Sequence, residues 1–306
     1  MYTKNGLHTK VVLLMNNAIT YRVPAKINLF LDITGRREDG YHLVRMLMQT
    51  VSLYDTVTVS YSDKADSMTC SDPALSVDES NLCRKALKAM KEHFHLDHFY
   101  QIHLEKCIPM AAGLAGGSAD AAAVMHCIEK LENLEVKDRE LEELAVSLGA
   151  DIPYCLHGGT MLSEGIGEIL TPVEGLPLNE SVLLVKPPIS VSTREVYQAY
   201  DDCLSIRHPD TELLLNKAEA GNLQSFAQHM GNVLEEVTAP RHPIIRELEK
   251  ALRKEGAYGA MMSGSGPTVF GLFASKDRML AAKETLKSRY PGYEIFGLHF
   301  TGRTFS

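Results

Sequence analysis

Apolar and polar positions alternate along much of the first third of the chain. The segment ITYRVPAKINLFLDITGRR is rich in β-branched and apolar residues with partial alternation, and VSLYDTVTVSYS alternates cleanly from Val51 to Ser60, as a half-buried strand does. In DESNLCRKALKAMKEHF the period changes. Leu82, Ala86, Leu87 and Met90 share one helical face, with Asp78 or Ser80 as the expected cap. FYQIHLEKCIP returns to strand. A glycine-rich stretch then opens a helix expected to run to about Glu132. KDRELEELAVSLGADIPYCL predicts one more helix, ended by Gly149 with Asp151 just beyond, and GGTMLSEGIGEILTPV a pair of short strands around glycine turns.

Near residue 180 the pattern restarts. ESVLLVKPP is an apolar strand stopped by prolines, and STREVYQAYD a helix capped by Ser192 or Thr193 with Glu195 in its first turn. A helical middle follows, through AEAGNLQSFAQHMGNVLEEV and HPIIRELEKALRKEGA. YGAMMSGSGPTVFGLF predicts a glycine loop leading into a strand, KDRMLAAKETLKSRY a helix, and YEIFGLHF a last strand. Both halves fit a layered α+β architecture, without internal repeats.

Composition narrows the partners. The 306 residues suit one large or two medium domains. A net charge of −8 with no basic run disfavours nucleic acid, and leaves open a small anionic ligand held at a local site. Six cysteines without CxxC spacing argue against a zinc site or a disulfide framework and for a reducing compartment; Cys127 and Cys155 read as small buried hydrophobes. The apolar run Val11–Met15, within a loose extension or a strand, is too short for a membrane span or a secretory signal. A cytoplasmic protein is expected.

Candidate chemistry begins at PMAAGLAGGSADAAAVM. Amides at a helix start lack intrahelical partners and carry partial positive charge, and glycines let backbone approach a phosphate. Gly113, Gly116 and Gly117 supply that access, Ser118 offers a hydroxyl to phosphate or Mg2+, and Asp120 lies within a turn. The two common nucleotide motifs, GxxxxGK[ST] and GxGxxG, do not match, so a phosphate cradle and a tightly packed helix start remain even alternatives. A second loop, with Gly264 and Gly266 around Ser265, points to one cleft closed from both sides, or to a tight hairpin turn. Lys26, mid-strand, reads without other information as an edge or outward lysine, and Asp151 as a helix-end residue in a turn. Asn28 shares Lys26's strand face.

PMAAGLAGGSADAA resembles the second signature of the GHMP kinases, the superfamily of galactokinase, homoserine kinase and mevalonate kinase, and GAMMSGSGPTVF resembles its third. PAKINLFLDITGRREDGYHLVRMLMQTVSLYD and LGADIPYCLHGGT resemble the branch acting on 4-diphosphocytidyl-2-C-methyl-D-erythritol, so the resemblance runs from Pro24 to Phe270. It implies the two-domain GHMP kinase fold, with a ribosomal protein S5 domain 2-like N-terminal domain (1–178) and a ferredoxin-like α+β C-terminal domain (179–306). It implies ATP-dependent phosphorylation of that substrate's 2-hydroxyl, a step of non-mevalonate isoprenoid synthesis, by a monomer or weak homodimer without nucleic-acid or membrane partners. Lys26 and Asp151 match the catalytic pair. ATP with Mg2+ matches the stretch Pro109, Met110, Ala111, Ala112, Gly113, Leu114, Ala115, Gly116, Gly117, Ser118 and Ala119. Asn28, Tyr41, His42, Thr193 and Tyr197 match the substrate side, with His42 reading the cytosine edge and Tyr197 stacking on it. Ala111, Ala112 and Ala115 stand where glycines are frequent, Ala119 where a serine is common, and Pro267 where alanine is common.

Overall fold

The two longest strands, β1 (Ala18–Arg36) and β2 (His42–Ser62), run antiparallel and pair from Ala18 opposite Ser60 to Arg36 opposite His42. The computed structural model describes residues 17–178, 180–203 and 205–305, so the apolar run Val11–Met15 lies outside the described residues. β2 begins well before the alternating stretch at Val51. Residues 46–51 are buried without interruption, which erases the period of two that marks a half-buried strand.

β2 is shared between partners. Residues 46–49 pair with β5 (Thr160–Glu164) and residues 56–62 with β4 (Phe99–Glu105). β3 (Ser67–Cys70) joins β4 in parallel, and β6 (Ile169–Pro172) joins β5. Helix α2 (Gly116–Leu131) lies on this sheet, and its buried Ala119, Ala121, Ala122 and Ala123 allow close approach. Cys127 and Cys155 are buried and free, as their apolar settings predict.

Two local expectations are corrected. Helix α1 (Leu82–Phe94) is capped by Asn81, whose side chain accepts from the Cys83 amide. Asp78 accepts from the Ser80 amide instead, within the turn preceding the helix. The single helix expected over KDRELEELAVSLGADIPYCL is two, α3 (Asp138–Leu148) and α4 (Ile152–His157). Gly149 does end α3, but with φ of 172° it is extended rather than left-handed, and Pro153 occupies the first turn of α4, where a missing amide costs nothing.

A second, four-stranded antiparallel sheet has the order β10 (Glu294–His299), β7 (Ser181–Lys186), β9 (Val269–Phe273), β8 (Gly259–Met262). The later glycine loop therefore connects two strands, β8 and β9, in a hairpin. Helix α5 (Thr193–Asp201) is capped by Ser192; α6 (Thr211–Glu219), α7 (Leu223–Ala227), α8 (Glu235–Arg241), α9 (Ile244–Lys254) and α10 (Lys276–Arg289) complete this half.

The halves are stitched together by backbone. The amide of Leu31 in β1 donates to Gly231 O at 3.0 Å, and the Val233 amide returns to Leu31 O at 3.0 Å. The final segment crosses back over the first sheet: Phe300 bridges to Val51, Arg303 to Gly158, and the Thr304 amide donates to His157 O at 2.8 Å.

Candidate active site

The pairing of β1 with β2 slips at Pro24/Ala25 and again at Asn28/Phe30. These irregularities bracket Lys26 and Asn28 and re-aim their side chains. Residues 23–33 are buried throughout, since α2 covers the strand on one side and the second half of the chain approaches on the other. Lys26 is thus no outward lysine: it is 5% exposed. A buried ammonium costs several kcal/mol unless partnered. Its Nζ donates to Asn28 Oδ1 at 2.8 Å and lies 3.7 Å from Asp151 Oδ2. Asp151 occupies the N-cap position of α4 but its carboxylate makes no capping bond to that helix. It is left to face Lys26. Asn28 Nδ2 contacts the Met46 sulfur at 3.1 Å, which fixes the amide's orientation toward the lysine.

The two glycine loops meet above this pair. The Lys26 amide donates to Leu114 O at 3.1 Å, tying the first loop to β1. Ser263 Oγ donates to Gly113 O at 2.9 Å and accepts from the Asn28 amide at 3.3 Å, so one hydroxyl joins both loops and the strand. Gly113 has φ of +73°, and a Cβ there would collide with the Ser263 carbonyl oxygen. Two of the three alanines standing in for glycines keep glycine's conformation: Ala111 and Ala115 have φ of 49° and 53°. Such left-handed alanines cost about 1 kcal/mol each. The Gly266–Pro267 bond is cis.

These elements border a cleft of about 1190 Å³. Lys26, Asn28, Tyr41, His42, residues 109–118, Asp151, Thr193 and Tyr197 all line it. Ala119 does not: it is 2% exposed and packs into the core, because the first helical turn carries it away from the loop. Gly116, Gly117 and Ser118 form the first turn of α2, where amides lack intrahelical acceptors.

Also lining the cleft, His42 lies 5.1 Å from the Tyr197 ring and 5.9 Å from that of Tyr200, between centroids. Burial and then Asp151 push the Tyr197 phenol up, which keeps it neutral. Tyr41 is 60% exposed at the rim, and Thr193 Oγ1 lies 2.8 Å from Ser265 Oγ. The structure therefore gathers every anticipated residue except Ala119 in one cavity.

The family described as GHMP kinases N terminal domain matches residues 81–159, and GHMP kinases C terminal matches residues 212–292, together more than half of the chain. The chain belongs to the GHMP kinases. Among GHMP relatives, a 4-diphosphocytidyl-2-C-methyl-D-erythritol kinase from Clostridium botulinum (strain Eklund 17B / Type B) is 46% identical over 267 residues, covering 87% of this chain and 95% of that one. A crystal structure of 4-(cytidine 5'-diphospho)-2C-methyl-D-erythritol kinase superposes with a TM-score of 0.75 at 31% identity, covering 92% of this chain and all of the other. Homoserine kinase from Cytophaga hutchinsonii also gives a TM-score of 0.75, at 20% identity, over 95% of this chain and 97% of its own. That second likeness speaks for the fold alone.

This GHMP kinase also forms partnerships in and around the cleft wall that sequence reasoning missed. Lys106 Nζ is buried between Asp55 and Asp120, 3.0 Å from Asp120 Oδ2, while Asp55 Oδ1 accepts from the Cys107 and Ile108 amides at 2.6 and 2.8 Å. Burial disfavours the ammonium, yet Asp120 and Asp55 outweigh it and raise the Lys106 pKa. Asn232 Nδ2 donates to Met262 O at 2.9 Å and Gly264 O at 2.8 Å, clamping the later loop. Asp201 meets His42. It follows Thr193 and Tyr197 at steps of four, and that helical spacing was the signal in the sequence. No signal tied Lys106 to Asp55.

Proposed function

We propose that this protein transfers a phosphoryl group from ATP to the 2-hydroxyl of 4-diphosphocytidyl-2-C-methyl-D-erythritol, giving the 2-phosphate and ADP. The observation that carries the reading is the Lys26–Asp151 pair, 3.7 Å apart, in a cleft that His42 and Tyr197 also line. The extent of identity to the kinases named for that substrate supports it.

The residues present fit a nucleoside triphosphate. Gly113, having no Cβ, lets the first loop pack directly on the backbone of Ser263 and Gly266, and Asp120 Oδ1, buried at the cleft wall, has no protein partner among the described residues. Residues 109–118 would hold ATP, which with Mg2+ supplies the phosphoryl group and the means to neutralise its charge. Asp151 accepts the proton of the substrate hydroxyl. Lys26 stabilises the developing alkoxide and the phosphoryl oxygens, and Asn28 keeps its ammonium aimed at the reaction. Tyr197 offers an aromatic face to the base, and Tyr41 and Thr193 bound the same subsite. The division into residues 1–178 and 179–306, a cytoplasmic location and a monomer or weak homodimer belong to the same proposal. Two separate sheets support the division, and no helix among the described residues is long and apolar enough to cross a membrane.

The test is to incubate the protein with ATP, Mg2+ and the cytidyl substrate, in parallel with mevalonate and with homoserine, and to follow ADP release. Turnover with the cytidyl compound is expected. Turnover confined to mevalonate or homoserine overturns the substrate assignment.

A further inference from the structure

Cytosine and uracil differ only along one edge. Cytosine carries an amino donor at C4, where uracil carries a carbonyl acceptor, and the protonation of N3 changes with it. A protein that tells them apart must place a group of fixed donor or acceptor character on that edge. A histidine is poorly suited unless something fixes its tautomer, since a neutral imidazole presents either N–H or a lone pair at each nitrogen.

His42 has that fixing group. Its Nε2 lies 2.7 Å from Asp201 Oδ1, and the His42 side chain is 10% exposed. A carboxylate only accepts hydrogen bonds, so Nε2 must carry the proton. Nδ1 of the neutral ring is then a bare lone pair. It has no protein partner among the described residues, and it belongs to a ring that lines the cleft beside Tyr197. Asp201 is itself held: Arg36 Nη1 lies 3.2 Å from its Oδ2. The three residues come from the end of β1, the start of β2 and the end of α5. The arrangement thus exists only when the second half of the chain is docked on the first.

We propose that Asp201 is a specificity-determining positioning residue, which locks His42 in the Nε2–H tautomer so that Nδ1 accepts from the C4 amino group of cytosine and repels the C4 carbonyl of uracil. This rests on the reading that a cytidyl base lies against His42 and Tyr197, and it adds a selection rule to that site. Asp201 borders the cleft and bonds the His42 ring. Its effect passes through His42.

The test uses CDP and UDP as probes, titrated against the full-length protein at pH 8, above the ordinary imidazole range. The parent is expected to bind CDP more tightly than UDP by on the order of tenfold or more, the range of one base-edge hydrogen bond. In Asp201→Asn the side chain keeps its size, but an amide serves either tautomer equally. The UDP-to-CDP ratio of dissociation constants is expected to fall to within about threefold of unity. Asp201→Ala, measured alongside, is expected to lose the same discrimination. Unchanged ATP binding and thermal midpoint show that each variant is folded. A variant that weakens CDP and UDP equally, keeping the parental ratio, assigns Asp201 a merely structural role and overturns the proposal while leaving the base site intact. A parent that binds the two alike overturns the base-site reading itself, and the selection rule with it.

Discussion

The Lys26 ammonium lies 3.7 Å from Asp151 Oδ2 while donating to Asn28 Oδ1 at 2.8 Å. One buried cation therefore serves a carboxylate and an amide at once, and the carboxylate is spared from capping its own helix. Groups arranged as a unit lose function as a unit. Lys26→Met and Asp151→Asn are each expected to cut kcat by on the order of 10²–10⁴-fold, the usual worth of a positioned proton acceptor and its partner. The double variant should be little worse than either single one. Coupled-assay rates for the three proteins check this, and fully multiplicative losses would show that the two side chains act independently.

Positions 113 and 115 should respond in opposite directions. Gly113→Ala drives a Cβ into the Ser263 carbonyl, and since both are backbone neither can yield cheaply. That variant is expected to lose stability by more than 1 kcal/mol, roughly the strain of a left-handed alanine alone, and to bind ATP more weakly. Ala115→Gly relieves a residue now held at φ of 53° and should leave stability unchanged or raise it by up to about 1 kcal/mol. Urea midpoints distinguish the two.

Removing the cation from the Asp55–Lys106–Asp120 cluster leaves Asp55 with its two amide donors alone and Asp120 with no counter-charge from the lysine. Lys106→Met is expected to cost about 3–5 kcal/mol, as broken buried pairs do. Adding Asp120→Asn should recover part of the loss, because one stranded charge is removed. Unfolding curves of the single and double variants measure the recovery.

Glu235 gives a pH dependence. Burial, and then the neighbouring Glu249, push its carboxyl up to about 8, although Arg246 and the Met262 amide favour the ionised form. In the unfolded chain an ordinary glutamate titrates at about 4.3. Between those values the native state retains a proton that the unfolded state releases, so the stabilisation present at low pH is lost as pH rises through 8. Unfolding free energy should decline from about pH 5 to pH 8 from this group, and Glu235→Gln should flatten that decline. An unchanged slope in the variant would assign the decline to other groups.

Periodic elements were legible in the sequence because burial imposes a period: β1, α1, α5 and α10 all lie where their patterns place them. α4 was not, since six residues are too few to show one. The capping of α1 fell to Asn81 rather than Asp78 or Ser80, because all three residue types suit a cap and only the path of the chain chooses. Within the site, short-range chemistry was visible: a lysine and an asparagine two apart on one strand, glycines before a helix. Ala119 was misplaced because a contiguous motif says nothing about where helical rotation turns its last residue. Lys106 with Asp55, and Asn232 with Gly264, join residues 51 and 32 apart through pairings that only the folded chain brings about.

The segment from Phe300 to Thr304 lies along the far end of α4, whose near end carries Asp151. During synthesis, the first half of the chain emerges long before this strap. Until residue 304 has left the ribosome, Thr50, His157 and Gly158 lack these partners, and the far end of the helix that carries Asp151 is unfinished. The far end of α4 is thus completed by residues 303 and 304, which come from the other half of the chain and not from the half that carries Asp151.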